Sequence, residues 1–301
     1  MSRRTPYYLI LLVLLTACGI PSARSEQSLQ FHADSIPAGA QRLMEAYPKQ
    51  VIGYEDNHII FWDYTRLIYN EGKNRTTEQM HIEQDVKDIF YQDYDTTRFP
   101  PDYGYDPGRY RSAKFMDKLY GSNLNEVLMN LVKVEWCPSL GGTPVYFTKV
   151  AGAAEALKRV SDELEQHPEL REWVIGAQTF CYRNIARMKR RSPHSYGIAI
   201  DLAVPRSHYW RSMYPYANEY TELTYTNTFD MRVVEIFEKH GFIWGGRWYH
   251  FDTMHFEYRP EMNPPKSDLE IVETANKPRW YPSPWLVLFT NHYMWSDASY
   301  K

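Results

Sequence analysis

An aspartate lies inside an otherwise apolar stretch of the chain, residues 197–204, and this stretch constrains the fold most. β-Branched and small apolar residues dominate it, which predicts a buried strand. Because side chains alternate between the two faces of a strand, Gly197, Ala199 and Asp201 share one face. A carboxylate in apolar surroundings is costly unless a cation offsets its charge. The two small neighbours leave room for such a cation, although a structural aspartate bonded to backbone amides is the alternative.

Two histidines complete a set of metal ligands around this aspartate. His194 precedes Asp201, and His255 follows in a second short segment, with Asp252 three residues before it. Three protein ligands with an open fourth position distinguish a catalytic zinc site from a structural one. Asp252 supplies the proton acceptor that a hydrolytic water needs. The residues therefore predict a zinc hydrolase.

The spacing of these residues is weak evidence alone, because it recurs elsewhere in the chain. His81 and Asp88 repeat the first spacing, and Glu55 and His58 repeat the second. Both pairs lie in polar stretches and are interpreted as solvated surface residues. The apolar setting of Asp201 is what separates the first segment from these two.

The two segments resemble the zinc D-alanyl-D-alanine carboxypeptidases and related peptidoglycan peptidases, whose fold is shared with the hedgehog signalling domain. The family pattern Ser-x-His-x-x-Gly-x-Ala-x-Asp is met from Ser192 to Asp201. The closing pattern, an acid followed after two residues by a histidine, is met at Asp252 and His255. The resemblance covers about residues 126–262.

The resemblance implies a role for each matching residue. It implies that His194, Asp201 and His255 bind zinc and that Asp252 is the general base. Arg183 matches an arginine that steers the substrate or polarises its carbonyl in relatives.

Ser192 and Glu257 are expected to support the ligands from behind. Ser192 opens the family pattern. On a strand, Glu257 would share the face of His255 and could orient it; a surface glutamate is the alternative.

The residues leave two peptide bonds open as the bond that the enzyme cuts. Asp252 stands where many carboxypeptidases have glutamate, which is more similar to the endopeptidase branch that cuts L-alanyl-D-glutamate bonds. The leading hypothesis is a D-alanyl-D-alanine carboxypeptidase that acts on peptidoglycan stem peptides. The alternatives are an endopeptidase with the same site and a non-catalytic, zinc-stabilised wall-binding lipoprotein. Asp252 argues against the last, because a binding module has no use for a base there.

Residues 186–191 are more basic than the family pattern leads us to expect before Ser192. The cluster contains Lys189, Arg190 and Arg191. It is either a solvated loop or a binding site for the carboxylates of the stem peptide.

The N-terminus predicts export. Arg3 and Arg4 precede an apolar run, residues 7–15, that is too short for a stable membrane span. The run ends in Leu-Thr-Ala-Cys, the pattern of a bacterial lipoprotein signal in which Cys18 becomes the lipidated first residue. An ordinary secretory signal with a chance cysteine is the alternative. Gly19, where an aspartate would retain the protein, favours the periplasmic side of the outer membrane, if the host has one.

The charge excludes a nucleic-acid-binding function. The full chain has a formal charge of −3, from 34 basic and 37 acidic side chains. Removal of residues 1–17 takes away Arg3 and Arg4 and leaves 32 basic side chains against 37, a charge of −5. No sustained basic face is evident in the sequence. The expected partners are peptidoglycan stem peptides and a membrane reached through the lipid.

Two cysteines remain after Cys18, namely Cys137 and Cys181. In an exported protein such a pair is compatible with one disulfide. Two separate buried thiols are the alternative.

The patterning favours an α+β fold, because helices and strands are mixed without βαβ alternation. We expect a small antiparallel sheet with flanking helices, as in the hedgehog/D,D-peptidase fold. Apolar periodicity predicts helices over residues 150–164 and 231–240, the second with Asp230 as its N-cap. The predicted organisation is a signal peptide at 1–17, a tether at 18–40, an N-terminal extension at 41–125, a zinc peptidase domain at 126–262 and a C-terminal tail at 263–301.

The lipid prediction can be tested by Cys18→Ser. The variant should move from the detergent fraction to the soluble fraction, because its only predicted anchor is removed. Activity on soluble peptides should be unchanged. A variant that still partitions into membranes would place the anchor elsewhere.

Overall fold

The computed structural model describes residues 36–186 and 188–265. Cys18, the predicted signal peptide, most of the tether and residues 266–301 of the tail lie outside the described residues. The prediction of an α+β fold is confirmed, since helices accompany three small antiparallel sheets. No helix of the described residues is long and apolar enough to cross a membrane.

The elements follow one another in mixed order. The helices are α1 (Ala38–Ala46), α2 (Thr77–Ile82), α3 (Ala113–Tyr120), α4 (Leu124–Asn130), α5 (Ala153–Leu164), α6 (Arg171–Val174), α7 (Trp210–Met213) and α8 (Met231–Lys239). The strands are β1 (Val51–Glu55), β2 (His58–Phe61), β3 (Arg66–Ile68), β4 (Leu131–Val134), β5 (Val145–Thr148), β6 (Ala199–Asp201), β7 (Phe242–Trp244) and β8 (His255–Tyr258). The sheets are β1-β2-β3, β4-β5 and β6-β8-β7.

The sheet β6-β8-β7 positions the candidate ligands. Strand β8 lies between β6 and β7 and is antiparallel to both. In its register Asp201 pairs with His255 and Ala199 pairs with Glu257. Directly opposed residues in an antiparallel pair bring their side chains together. Two residues far apart in the sequence are thereby held side by side.

Apolar packing covers both faces of this sheet. On one side Phe256 stacks on Phe237 of α8, with ring centroids 4.2 Å apart, in a core that also includes α5. On the other side Ile198 and Ile243 pack against α1, α3 and the first sheet. A sheet covered on both faces excludes water from its middle strand, so the polar side chains of β8 require partners within the protein.

The structure confirms the two predicted amphipathic helices and shortens the predicted strand. Helix α8 has Asp230 as its N-cap, whose side chain accepts a hydrogen bond from the Arg232 amide. Helix α5 begins at Ala153, after a 3-10 turn. The strand predicted over 197–204 is limited to β6, because Gly197 (φ 68°) and Ala203 (φ 46°) adopt the left-handed conformation at its two ends.

Three other boundaries differ from the sequence-based predictions. The sequence also predicts a helix over residues 123–132, but α4 ends at Asn130 and β4 follows it. It predicts an aromatic-rich strand that ends at the Asp252–His255 pair, whereas β8 begins at His255. Helix α1 begins at Ala38, inside the predicted tether, and Ala40 is fully buried. Residues 38–40 are therefore part of the folded domain.

The possible disulfide between Cys137 and Cys181 is absent from the structure. Both thiols are free, the first buried and the second exposed. Cys137 lies against Ser161, whose hydroxyl accepts a hydrogen bond from the Cys137 amide at 2.8 Å. Its sulfur lies 3.9 Å from the Ser161 carbonyl oxygen, within the core that includes α5.

Gly197 provides a test of how the turn before β6 is built. An added Cβ would lie 2.4 Å from Cδ2 of Leu131, in a left-handed backbone. Gly176 is also left-handed (φ 74°) but has nothing within 4 Å. Gly176→Ala should therefore lower the free energy of unfolding by about 1–2 kcal/mol.

Gly197→Ala should lower it by a further ~1–3 kcal/mol from overpacking. Urea unfolding of the two variants measures the difference. Equal losses would show that Leu131 yields to the new methyl group without cost.

Candidate active site

Three side chains converge at one end of the sheet. His194 lies in a 3-10 turn (Pro193–Tyr196), Asp201 ends β6 and His255 begins β8. Nε2 of His194 lies 3.2 Å from both Oδ1 of Asp201 and Nδ1 of His255. Nδ1 of His255 lies 2.7 Å from the same Oδ1. Among the described residues this is the group of histidine, cysteine and acidic side chains whose geometry suits a metal ion.

The outer nitrogen of each histidine is already engaged. Nδ1 of His194 lies 2.6 Å from the Thr179 carbonyl oxygen, which can only accept a hydrogen bond. Nε2 of His255 lies 2.9 Å from Oε1 of Glu257. These contacts turn the outer nitrogen of each ring towards an acceptor, so the inner nitrogens can present lone pairs to a metal ion. Two ring nitrogens and a carboxylate oxygen then face one another, an arrangement that suits a cation.

This donor set fits zinc. A tetrahedral zinc with bonds of about 2.0–2.1 Å to its ligands spaces them about 3.3 Å apart. Two of the three separations, at 3.2 Å, agree with that spacing, and the third, at 2.7 Å, is that of a hydrogen-bonded pair. Burial alone would lower the pKa of His255, but hydrogen bonds to Asp201 and Glu257 raise it to about 10. The site therefore favours positive charge at its centre.

Glu257 lies directly behind His255 and is fully buried. It accepts a hydrogen bond from Nε of Arg111 at 2.9 Å and pairs with Nη2 of the same residue. Arg259 contributes a longer contact at 3.3 Å. Burial alone would raise the pKa of Glu257, but Arg111 and His255 hold it well below its usual range. Glu257 is therefore a charged acceptor that fixes the ring orientation of His255.

Asp252 lies at the turn that leads into β8. Its amide donates to the Gly245 carbonyl at 3.0 Å, and its carbonyl accepts from the His255 amide at 3.1 Å. A side chain at Gly245 would lie 2.5 Å from the Asp252 oxygen, so this close approach requires glycine. Burial raises the pKa of Asp252 to about 7. Its Oδ1 has no hydrogen-bond partner among the described residues, so the carboxylate is available to accept a proton.

Arg183 and Ser192 lie together on the loop before His194. The Ser192 amide donates to the Arg183 carbonyl at 3.0 Å, and the Arg183 amide donates to Oγ of Ser195 at 2.8 Å. Ser192 is buried and the Arg183 side chain is exposed. Both line the same cavity as the three candidate ligands. Arg183 therefore lies at its rim.

The cavity has a volume of about 360 Å³ and brings in residues that sequence reasoning missed. Arg109 and Arg111 come from the predicted N-terminal extension, in which no chemistry was expected. The sequence offered one signal: Glu257, if its strand is buried, needs a cationic partner. The sequence does not say which arginine supplies it. A larger cavity of about 640 Å³ lies elsewhere and contains none of the candidate ligands.

His250 also lines the cavity. On a strand it would point to the opposite face from His255, so the sequence predicts that it is not a ligand. Its Nδ1 lies 2.6 Å from Oδ2 of Asp106, so it is held by that carboxylate. It does not belong to the group of His194, Asp201 and His255.

The comparisons with known proteins agree with this site. Residues 186–258 match the family model described as D-alanyl-D-alanine carboxypeptidase. The resemblance to that family is confirmed. The match spans 73 of the 301 residues and contains all three candidate ligands together with Asp252. It supports a peptidase. Comparison with curated proteins and with solved structures gave no match.

Glu257→Gln tests the support of the metal site. The variant should bind zinc about 10- to 100-fold more weakly, because a neutral amide makes His255 a poorer ligand. Competition with a chromophoric chelator measures the affinity.

Glu261→Gln is the matched control. Glu261 is also buried and pairs with Arg259, but it does not contact His255. Equal affinity losses in the two variants would assign the effect to general destabilisation.

Proposed function

We propose that this protein is a zinc-dependent peptidase that removes the terminal D-alanine from peptidoglycan stem peptides. One observation carries the proposal: two ring nitrogens and a carboxylate oxygen converge in a cavity that is also lined by Asp252, whose Oδ1 has no partner among the described residues. The family match supports the substrate class. We also propose that the domain has the hedgehog/D,D-peptidase fold.

His194, Asp201 and His255 would hold the zinc. A zinc bound there would activate a water and polarise the carbonyl of the scissile bond. Asp252 would accept a proton from the attacking water and return it to the leaving amine. Arg183, at the rim, stabilises the negative charge that develops on the carbonyl oxygen. Glu257 keeps His255 in the required orientation.

The charge of the cavity favours a carboxypeptidase. Five arginines line it against two aspartates, Asp201 and Asp252, and three of the arginines pair with other carboxylates. The positive charge that remains, at Arg183 and Arg190, suits the free carboxylate that ends a D-alanyl-D-alanine peptide. The arginines are Arg109, Arg111, Arg183, Arg190 and Arg211.

The second candidate is an endopeptidase of the same family, and Asp252 favours it because many carboxypeptidases have glutamate there. Mass spectrometry of stem tetrapeptides and pentapeptides after incubation separates the two. Loss of one alanine indicates the carboxypeptidase, and internal cleavage indicates the endopeptidase. A zinc-stabilised wall-binding lipoprotein predicts no cleavage of either peptide.

The proposed site of action is the bacterial envelope, reached by export and a lipid on Cys18. Peptidoglycan is immobile, so a tethered hydrolase gains effective concentration against it without any new contact.

Asp252→Asn tests the general base. The variant should retain its zinc and its fold and lose turnover on the order of a hundredfold or more, because the amide cannot accept the proton. Asp56→Asn, at an exposed position, is the control. Turnover near that of the wild-type protein would assign proton transfer to another group.

A further inference from the structure

The basic cluster of residues 189–191 lies on a closed loop at the mouth of the cavity. Two backbone hydrogen bonds close the loop, from the Ser192 amide to the Arg183 carbonyl at 3.0 Å and from the Ile185 amide to the Arg190 carbonyl at 2.9 Å. The loop therefore presents its side chains from a defined backbone.

The three basic residues of the cluster have different surroundings. Arg191 pairs with Asp117 and donates to the carbonyl oxygens of Gly121 and Ser122, at 3.1 and 2.9 Å. It fastens the loop to the end of α3. Lys189 is exposed and does not line the cavity. The solvated-loop interpretation therefore fits Lys189 and not its two neighbours.

Arg190 points into the cavity that holds the candidate zinc ligands. Its Nε and Nη1 atoms are inaccessible to solvent and have no hydrogen-bond partner among the described residues. Burial, followed by the charges of Arg111 and Arg109, lowers its pKa to about 9. The guanidinium is therefore still charged at neutral pH.

The neighbouring arginines are already neutralised. Arg111 pairs with Glu257, and Arg109 pairs with Asp106 and Glu219. Arg211 also pairs with Glu219, so no carboxylate of this group is left for Arg190. A buried cation without a partner destabilises a fold, and an anionic ligand removes that cost.

We propose that Arg190 binds a carboxylate of the stem peptide and so determines which peptides enter the site. The inference rests on the proposed function and assigns a substrate-binding residue to it. A guanidinium offers two parallel donors that match a carboxylate. Stem peptides carry two such groups near the candidate scissile bonds, the C-terminal carboxylate and the α-carboxylate of the γ-linked D-glutamate.

Binding of three peptides to the zinc-loaded Asp252→Asn protein tests the proposal by calorimetry. The first is a stem pentapeptide with both carboxylates free. The second is the same peptide amidated at its C-terminus, and the third has D-isoglutamine in place of D-glutamate. Each is measured with and without Arg190→Gln, with Lys189→Gln as the matched control and Arg190→Lys as the conservative variant.

Arg190→Gln should weaken binding of the free pentapeptide about 10- to 100-fold, the range of a hydrogen-bonded charge pair. Lys189→Gln should leave it unchanged, and Arg190→Lys should restore part of it. One of the two amidated peptides should bind weakly and show no further loss with Arg190→Gln, which identifies the carboxylate. The thermal unfolding temperature of Arg190→Gln should not fall, because an unpaired buried charge is removed.

Equal losses for all three peptides, or no loss for any, would overturn the proposal. Cleavage by the wild-type protein judges the proposed function separately. A peptide that is bound through Arg190 but never cleaved would overturn the peptidase assignment and leave the carboxylate site standing. Cleavage that is unchanged by Arg190→Gln would overturn the carboxylate site and leave the peptidase assignment standing.

Discussion

The mutual approach of three electron-pair donors is the constraint on which the rest of this structure depends. His194, Asp201 and His255 are brought within 3.2 Å of one another by a 3-10 turn and by one register of an antiparallel pair. Carbonyl and carboxylate acceptors behind the rings leave the inner nitrogens facing Asp201. The raised pKa of His255 shows that this position favours a positive charge, which a proton or a metal ion can supply.

The donors are held in place by a second layer of buried charge. Glu257 supports His255 and is itself supported by Arg111 and Arg259. Arg259 also contacts Glu261, which accepts a hydrogen bond at 2.5 Å from Tyr47, the residue after α1. Such a network is stabilising only when every member is satisfied, because an unpaired charge in low dielectric is costly. The network thus joins the ligand strand to the opposite end of the described chain.

The three candidate metal ligands could be predicted to lie together from the sequence because their signal is local. An aspartate in an apolar strand needs a counter-charge, and the two flanking patterns name the family. The limits of the strand could not be predicted, because they depend on left-handed backbone at Gly197 and Ala203. Nothing in the sequence marks Ala203 as left-handed, because alanine rarely adopts that conformation.

Residues whose partners come from distant segments were also misjudged. His81 and Asp88 were interpreted as surface residues, yet His81 is half-buried 3.5 Å from Glu219 and Asp88 is buried near Arg75. The periodicity of a segment shows which of its residues are polar, but it does not show which distant segments pack against them in the fold. The role of Arg111 was missed for the same reason, since nothing local marks it as the partner of Glu257.

The ion pair between Arg111 and Glu257 bears on how the peptidase segment can be exchanged between proteins. The segment that matches the family, residues 186–258, contains every proposed ligand. Arg111, which neutralises the buried Glu257, lies outside that segment and 146 residues before Glu257 in the sequence. Tyr94 makes a similar crossing to Glu238 in α8. A chain that began at residue 126 would retain the ligands but would remove Arg111 from Glu257 and Tyr94 from Glu238, leaving these glutamates with Arg259 and Arg247. The loop that carries Arg190 also depends on the N-terminal half, because Arg191 fastens it to Asp117 and to the carbonyl oxygens of Gly121 and Ser122. Substitution of Lys189 or Arg190 leaves these contacts in place, so substrate preference can change at those two positions. The strand behind the loop can be transplanted only together with the N-terminal half.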